Sequence, residues 1–387
     1  MTDKIKAAGP ARIRALNRKA VLNYIRINGP ISRSGLIPAL DLSAAAVSSV
    51  TNELVEGGFL RPAKPSATSE YASRGRPKSP LELNPDAVYA VGLRLQPVDH
   101  QCRIQRAWIN YAGRIERLPA HVFKDYHSTD GVIDAILAAL SSVEQSVPDR
   151  HKIFAATIAI PGATNQNEVL IAPSLGAIEG RSFAPAIAHQ ANYSISLLND
   201  VNLAVLSELH VQPRLKQLNF SYLYIGLGVG AGVGLHGSLW SGNGWAGEVG
   251  HLRISRNGDE PPKSFEELLS TDNAFVDETN RLGLAHDDLD GIAQADIDNN
   301  QRTSAVLDVY ANTLCELVLV IGSVIGLDEV IIDFPSELLF SRLQPRFNKL
   351  IAKQPLQIAI SSPAEGNGAA VRGAALAALD MAIDQVE

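Results

Sequence analysis

Apolar positions in the first sixty residues recur at helical spacing. Ile13, Leu16, Ala20, Val21 and Ile25 mark the inward stripe of a first helix. Gly29-Pro30 stops it, and Ser32 is placed to cap a second helix that runs toward Leu40. After Asp41-Leu42, Ser43 is placed to cap a third helix. That helix turns Val47, Val50 and Leu54 inward and ends at Gly57-Gly58. Pro38 falls within the second helix, where a missing backbone donor costs on the order of 3 kcal/mol. The second helix therefore either starts late or is kinked. Between Leu60 and Leu83 the periodicity gives way to Pro, Ser, Ala and Lys, the composition of a wing or extended connector.

From Tyr89 onward the pattern changes to strands that alternate with helices. Residues 89–95, 104–109 and 115–122 read as consecutive strands, 131–147 as a helix and 153–160 as a near-continuous apolar strand. A strand over 194–198 runs into Asn199-Asp200 and a helix over 201–208. Another over 222–226 enters the glycine run Gly226, Gly228, Gly230, Gly232 and Gly234. Such alternation predicts an α/β fold. With 46% hydrophobic and 19% charged residues, the 387-residue chain has material for two or three domains and a sizeable core.

Charge separates the two regions. Residues 1–85 hold 13 Lys and Arg against 6 Asp and Glu, whereas the remainder holds 21 against 35. A basic head on an acidic body suits a regulator that touches DNA with one end. The outer face of the third helix offers Ala45, Ser48, Ser49 and Asn52, short side chains that let a helix lie deep in a major groove and bond base edges or phosphates. This reads as a helix-turn-helix whose candidate DNA contacts are Arg33, Ser43, Ala45, Ser48, Ser49 and Asn52. The plainer alternative is a three-helix cap on a larger domain. In the connector, Arg74-Gly75-Arg76-Pro77-Lys78 resembles the core of an AT-hook, with Arg74 and Arg76 able to enter a narrow minor groove and Gly75 at the closest approach. A solvated basic linker is the competing reading.

Cys102 and Cys315 belong to no paired spacing, which argues against structural disulfides and a cysteine-rich zinc site. The apolar runs over 222–235 and 317–327 are short for a bilayer, and no signal-peptide core opens the chain, so a cytoplasmic protein without membrane contact is expected. The apolar stretch over 314–325 suits ordinary core, or inter-lobe or subunit packing.

Several ordered motifs give the chain a family resemblance. They are Gly75-Arg76-Pro77, Leu83-Asn84-Pro85, Asn199-Asp200, the run Gly226-Leu227-Gly228-Val229-Gly230-Ala231-Gly232, and Gly247-Glu248-Val249-Gly250-His251. Together with the head they resemble the ROK family (repressors, open reading frames, sugar kinases), in its transcription-factor branch. The resemblance implies a winged helix-turn-helix over 1–64, a wing or linker over 65–86, and an actin-like (ribonuclease H-like) two-lobed body over 87–387. It also implies a sugar held in the cleft. By the same resemblance, Asn199, Asp200, Glu248, His251 and Glu266 would bind sugar hydroxyls, a task that suits carboxylates, an amide and an imidazole. In the family's kinases the Asp is also the general base. Read alone, Asn199-Asp200 could be a helix cap, and Glu248 and His251 a surface turn.

Departures from the family pattern favour a sensor. The family kinases carry an Asp-x-Gly-x-Thr phosphate loop after the first strand of the body; here that place reads Gly92-Leu93-Arg94-Leu95-Gln96-Pro97. Leu227 stands where a Thr is usual, and the segment Val330-Ile331-Ile332-Asp333-Phe334-Pro335 lacks the usual Gly-Gly turn. No cysteine follows His251, and Asp259 and Glu260 are the nearby acids, so no zinc and no other metal or cofactor is expected. The expectation is a sugar-responsive repressor of carbohydrate genes, without catalytic residues. Its partners would be a small sugar effector and a palindromic operator with AT-rich flanks, met as a homodimer or homotetramer. Release of DNA on sugar binding is favoured over promotion. The alternatives are a sugar kinase with a fused DNA-binding head, and a regulator that answers to a protein partner through a vestigial cleft.

Overall fold

The computed structural model describes residues 10–63, 80–98, 100–165, 168–255, 261–284 and 288–386. The chain opens with α1 (Pro10–Asn28), α2 (Arg33–Leu40) and α3 (Ala44–Glu56). Ser32 and Ser43 cap α2 and α3, their hydroxyls accepting from the amides of Gly35 and Ala46 at 3.2 Å. Each bond satisfies one of the N–H groups that a helix start leaves without a partner. α2 does not start late, and it carries Pro38 within it. The carbonyl that loses its helical donor is that of Ser34; Ser34 and Pro38 are both exposed, so water is at hand to bond it. α1 departs from the expected stripe. Val21, Leu22 and Ile25 are buried, whereas Ile13 and Leu16 are exposed, because the head's core reaches only the second half of the helix. β1 (Leu60–Pro62) and β2 (Leu81–Leu83) then pair antiparallel, Leu60 opposite Leu83, as a short wing.

The first lobe of the body holds β3 (Tyr89–Val98), β4 (Gln101–Asn110), β5 (Ile115–Phe123), α4 (Thr129–Glu144) and β6 (Ile153–Ile160). A small hairpin of β7 (Ala163–Asn165) and β8 (Glu168–Ile171) follows, then α5 (Ala184–Ala191) and β9 (Ser194–Asn199). Among the described residues its main sheet runs β5-β4-β3-β6-β9, with β3 antiparallel to β4 and parallel to β6. α6 (Asp200–Val211) leads into the second lobe. There β10 (Phe220–Ile225), β11 (Val229–Leu235) and β12 (Ser238–Trp240) precede a two-stranded ribbon of β13 (Arg253–Ile254) and β14 (Lys263–Ser264). The helices α7 (Phe265–Leu269), α8 (Thr271–Leu282), α9 (Leu289–Ile297) and α10 (Gln301–Ile325) come next, followed by β15 (Glu329–Asp333), α11 (Glu337–Ile351) and β16 (Ala359–Ser361). The second sheet, β12-β11-β10-β15-β16, repeats the order of the first and its mix of antiparallel and parallel neighbours. This duplicated α/β topology is the actin-like, two-lobed arrangement.

α10 is longer than the apolar run that marks it in the sequence. It is long and apolar enough to cross a membrane by length and composition, yet 56% of its most apolar window is buried within the fold. Leu307, Leu314, Val318 and Ile321 pack there with α11 and β15 in the core of the second lobe. The apolarity of α10 thus has an internal use.

The final helix, α12 (Ala369–Val386), returns to the first lobe and lies against it at backbone distance. A Cβ added at Gly92 of β3 would sit 2.5 Å from the amide nitrogen of Ala375, and one at Gly373 only 1.8 Å from the carbonyl oxygen of Leu203 in α6. Glycine is required at both contacts. Farther along, Ala378, Leu379, Ala382 and Ile383 share one core with Val21, Leu22, Ile25, Leu60 and Leu81 of the head. Head and body are therefore joined by packing as well as by the chain.

Candidate functional site

Two separate regions carry the candidate residues. On the head, α3 buries Val47, Val50 and Leu54 and exposes Ser43, Ala45, Ser48, Ser49 and Asn52 along one side. Ser43 spends its hydroxyl on the helix cap. Arg33, from α2, lies across the same face: its Nε donates to Thr51 Oγ1 at 2.9 Å and an Nη to Asn52 Oδ1 at 3.1 Å. Arg33 and Asn52 thus form one polar unit, a pairing not evident from their spacing. Arg74, Gly75 and Arg76 lie outside the described residues, as do Asp259 and Glu260.

In the body, the end of β9 turns into α6 at Asn199-Asp200. Asn199 caps α6, accepting from the amide of Asn202 at 2.8 Å, and its Nδ2 donates to the carbonyl of Gly162 at 2.9 Å. Asp200, only 5% exposed, is held by Arg94 of β3, which is 6% exposed. Both Nη2, at 2.9 Å, and Nε, at 3.2 Å, donate to Asp200 Oδ2. The third guanidinium nitrogen, Nη1, donates to Asn367 Oδ1 at 3.1 Å. A buried arginine is costly unless it is paired in this way.

Arg94 and Asp200 line a cavity of only about 10 Å³ with Tyr222, Tyr224, Asp333 and Gly366, room for about one water. Asp333, at the end of β15, accepts from the Tyr222 hydroxyl at 2.8 Å. Burial pushes its carboxyl above the usual range, against the pull of Tyr222 and Arg94. Arg94, Tyr222, Tyr224 and Asp333 are the members of this site that reading the chain did not assign; Asn367 stands outside the cavity, behind Arg94. Arg94 left the clearest trace: a cation in the apolar run of β3, a strand buried over most of its length.

The Gly-Glu-Val-Gly-His segment lies on β11. The carbonyl of Gly247 (φ +88°) accepts from the amide of Ala231 at 2.8 Å, and a Cβ on Gly247 would lie 1.6 Å from the Ala231 oxygen. At Gly250 a Cβ would lie 2.2 Å from the carbonyl of Val229. The glycines thus set the loop down on the strand, with Glu248 and His251 beyond it. His251 Nε2 lies 3.6 Å from Glu248 Oε2, and the imidazole is half exposed. Burial raises the Glu248 carboxyl above its ordinary value; His251 opposes the shift, while the charges of Asp200 and Glu266 add to it. Glu266, in the first turn of α7, brings Oε2 to 3.4 Å from the Val229 amide. Asp200, Glu248 and Glu266 are thus within electrostatic reach of one another, with His251 beside Glu248.

The glycine run has a packing role as well. A Cβ at Gly232 would meet Val205 Cγ2 at 2.6 Å and the Val201 oxygen at 2.9 Å, so α6 lies directly on β11. At the hairpin tip, Leu227 is exposed.

The sequence profile of the ROK family matches residues 117–381, more than half of the chain. The chain belongs to the ROK family. Among its relatives is the xylose repressor of Staphylococcus xylosus, 24% identical over 277 residues, 69% of either chain. A xylose repressor of Caldicellulosiruptor bescii is 26% identical over 259 residues, 64% of this chain. The match spans 61% of that relative's length. Among solved structures, a ROK family transcriptional regulator described as a homologue of the E. coli MLC protein superposes with a TM-score of 0.77 at 21% identity, covering 96% of each chain. A ROK family glucokinase from Streptomyces griseus, solved with glucose and AMPPNP, gives a TM-score of 0.61 at 19% identity, over 76% of this chain and 99% of its own. These structures share the fold, head included in the first case.

The groups that ROK proteins carry can be tested against these residues. A tetrahedral zinc site needs soft donors near His251, but Cys102 and Cys315 are buried in β4 and α10 and no cysteine lies between 252 and 263. The residues do not fit such a site. Beside Asp200 the Arg94 guanidinium occupies the space next to that carboxylate.

Proposed function

We propose that this ROK protein is a sugar-responsive transcriptional repressor with a non-catalytic body. Division into a head over 1–64, a wing or linker over 65–86 and a body over 87–387 goes with this reading. Arg33, Ser43, Ala45, Ser48, Ser49 and Asn52 would meet operator DNA, with Arg74, Gly75 and Arg76 in the adjoining minor groove. Asn199, Asp200, Glu248, His251 and Glu266 would bind the hydroxyls of a sugar, and the names of the repressor relatives make D-xylose the first candidate. Two heads on a palindromic site require a homodimer or a larger symmetric assembly in the cytoplasm.

One observation carries the choice of regulator over kinase. Asp200, the residue that would act as general base, has one oxygen held by two nitrogens of a buried arginine. A carboxylate so engaged has that oxygen turned to the guanidinium and not free to take a proton from a sugar hydroxyl. It remains able to accept a sugar hydroxyl through Oδ1.

The test is a coupled assay with ATP and D-xylose, D-glucose or N-acetylmannosamine, run beside selection of bound duplexes from a random-sequence library. Selection of a palindrome without turnover is the expected result. Turnover that disappears in Asp200→Asn would overturn the proposal. Binding of DNA with no response to any sugar would point instead to control by a protein partner.

A further inference from the structure

The loop that precedes α12 is gripped from the first lobe. Asn367 Oδ1 receives Arg94 Nη1 at 3.1 Å, and Gln105 and Gln96 donate to the same oxygen at 3.3 and 3.5 Å. Next to it, Glu365 accepts from Arg372 Nε at 2.7 Å and pairs with Arg117 of β5, while the amide of Ala364 donates to Glu208 of α6 at 2.9 Å. The start of α12 is therefore tied to the same guanidinium that holds Asp200.

α12 has no slack along its length. Gly92 and Gly373 bring it against β3 and α6 at backbone distance, and Ala374, Ala375, Ala378 and Ala382 are fully buried. Its 18 residues span about 27 Å. The far end carries the head: Leu379 and Ile383 pack with Val21, Leu22 and Ile25, and Lys19 Nζ pairs with Asp384 at 2.5 Å. A tight, short-side-chain helix of this kind moves as a body rather than bending at one contact.

We propose that Asn367 is a positioning residue that couples the cleft to the head. A sugar hydroxyl on Asp200 shifts the carboxylate, the planar Arg94 fork turns with it, and Nη1 carries the Asn367 turn and α12 along. The displacement then reaches α1 and α3 through the shared core. This inference rests on the reading that a sugar binds against Asp200. Arg94 is thereby given a use beyond occupying space: it converts occupancy of the cleft into a position of the last helix.

The experiment compares full-length wild type with Asn367→Ala and Asn367→Asp. Binding of D-xylose, D-glucose and N-acetylglucosamine is measured by calorimetry, and affinity for the duplex enriched by the wild type is measured with and without the bound sugar. In the wild type the sugar should change DNA affinity about tenfold, within the usual range of coupling. Asn367→Ala should keep its sugar affinity within about twofold and its sugar-free DNA affinity within about threefold, while the sugar response falls below about threefold. Asn367→Asp keeps an acceptor for Arg94 and should retain the response, which a merely destabilised helix would not explain. An Asn367→Ala protein that responds like the wild type overturns the coupling role and leaves the sugar-sensor reading standing. A wild type that binds none of the three sugars removes that reading, and the coupling role with it.

Discussion

The two lobes share one strand order and part company at their first hairpins. In the second lobe, β10 and β11 meet at Gly226-Leu227-Gly228, and the tip faces the Glu266 carboxylate at Gly228 and the Val229 amide. In the first lobe, β3 and β4 pair continuously from Tyr89 opposite Asn110 to Val98 opposite Gln101, and the buried side of β3 delivers Arg94 to Asp200. The same topology thus carries an open glycine tip in one lobe and a buried ion pair in the other.

The largest expected effect comes from removing the filling group. Arg94→Met leaves Asp200 buried without its cation, and loss of one partner from a buried pair costs about 3–5 kcal/mol. Urea unfolding should register it. The double variant Arg94→Met/Asp200→Leu should be more stable than the single one, because no unpaired charge remains. A single variant within experimental error of wild type would mean that the first lobe is not organised around this pair.

Within the second lobe, two glycines of the run should behave differently. Gly232→Ala places a methyl 2.6 Å from Val205 and 2.9 Å from the backbone of Val201, and overpacking of that kind costs about 1–3 kcal/mol. Gly228→Ala meets only the flexible end of Glu266, at 3.4 Å, and should cost less than about 1 kcal/mol. Equal costs would show that the run is a single structural unit with no difference between its packed strand and its open tip.

The smallest effect concerns Glu248. Its carboxyl titrates above the ordinary 4.5, chiefly through burial, so the folded state holds the proton more tightly than the unfolded chain does. The associated stability is present in full below that ordinary value and is lost as pH rises through the raised one. Glu248→Gln has no such loss, so its melting temperature should gain on that of wild type between pH 4.5 and neutrality. Parallel melting curves across that range would place Glu248 in a more solvated setting than the cleft.

Much of the fold was legible because its signals are local. Serine caps at Ser32 and Ser43, the inward Val47, Val50 and Leu54, and the apolar β6 follow from spacing alone. The family motifs led to Glu248, His251 and Glu266, and the observed loop brings these toward Asp200. What stayed hidden depends on distant parts of the chain. Asn367 lies 273 residues from Arg94, and no pattern announces that the two will bond. Arg33 and Asn52 meet only because α2 crosses α3. Ile13 and Leu16 have the right spacing for core positions, but periodicity does not reveal where the core beneath a helix ends.

Calorimetric titration of the full-length protein with magnesium-AMPPNP probes whether Arg94 closes the nucleotide side of the cleft. With Arg94 on Asp200, the wild type should give no saturable heat, whether or not D-xylose or D-glucose is present. Saturable binding of one nucleotide per chain would mean that the nucleotide side is open.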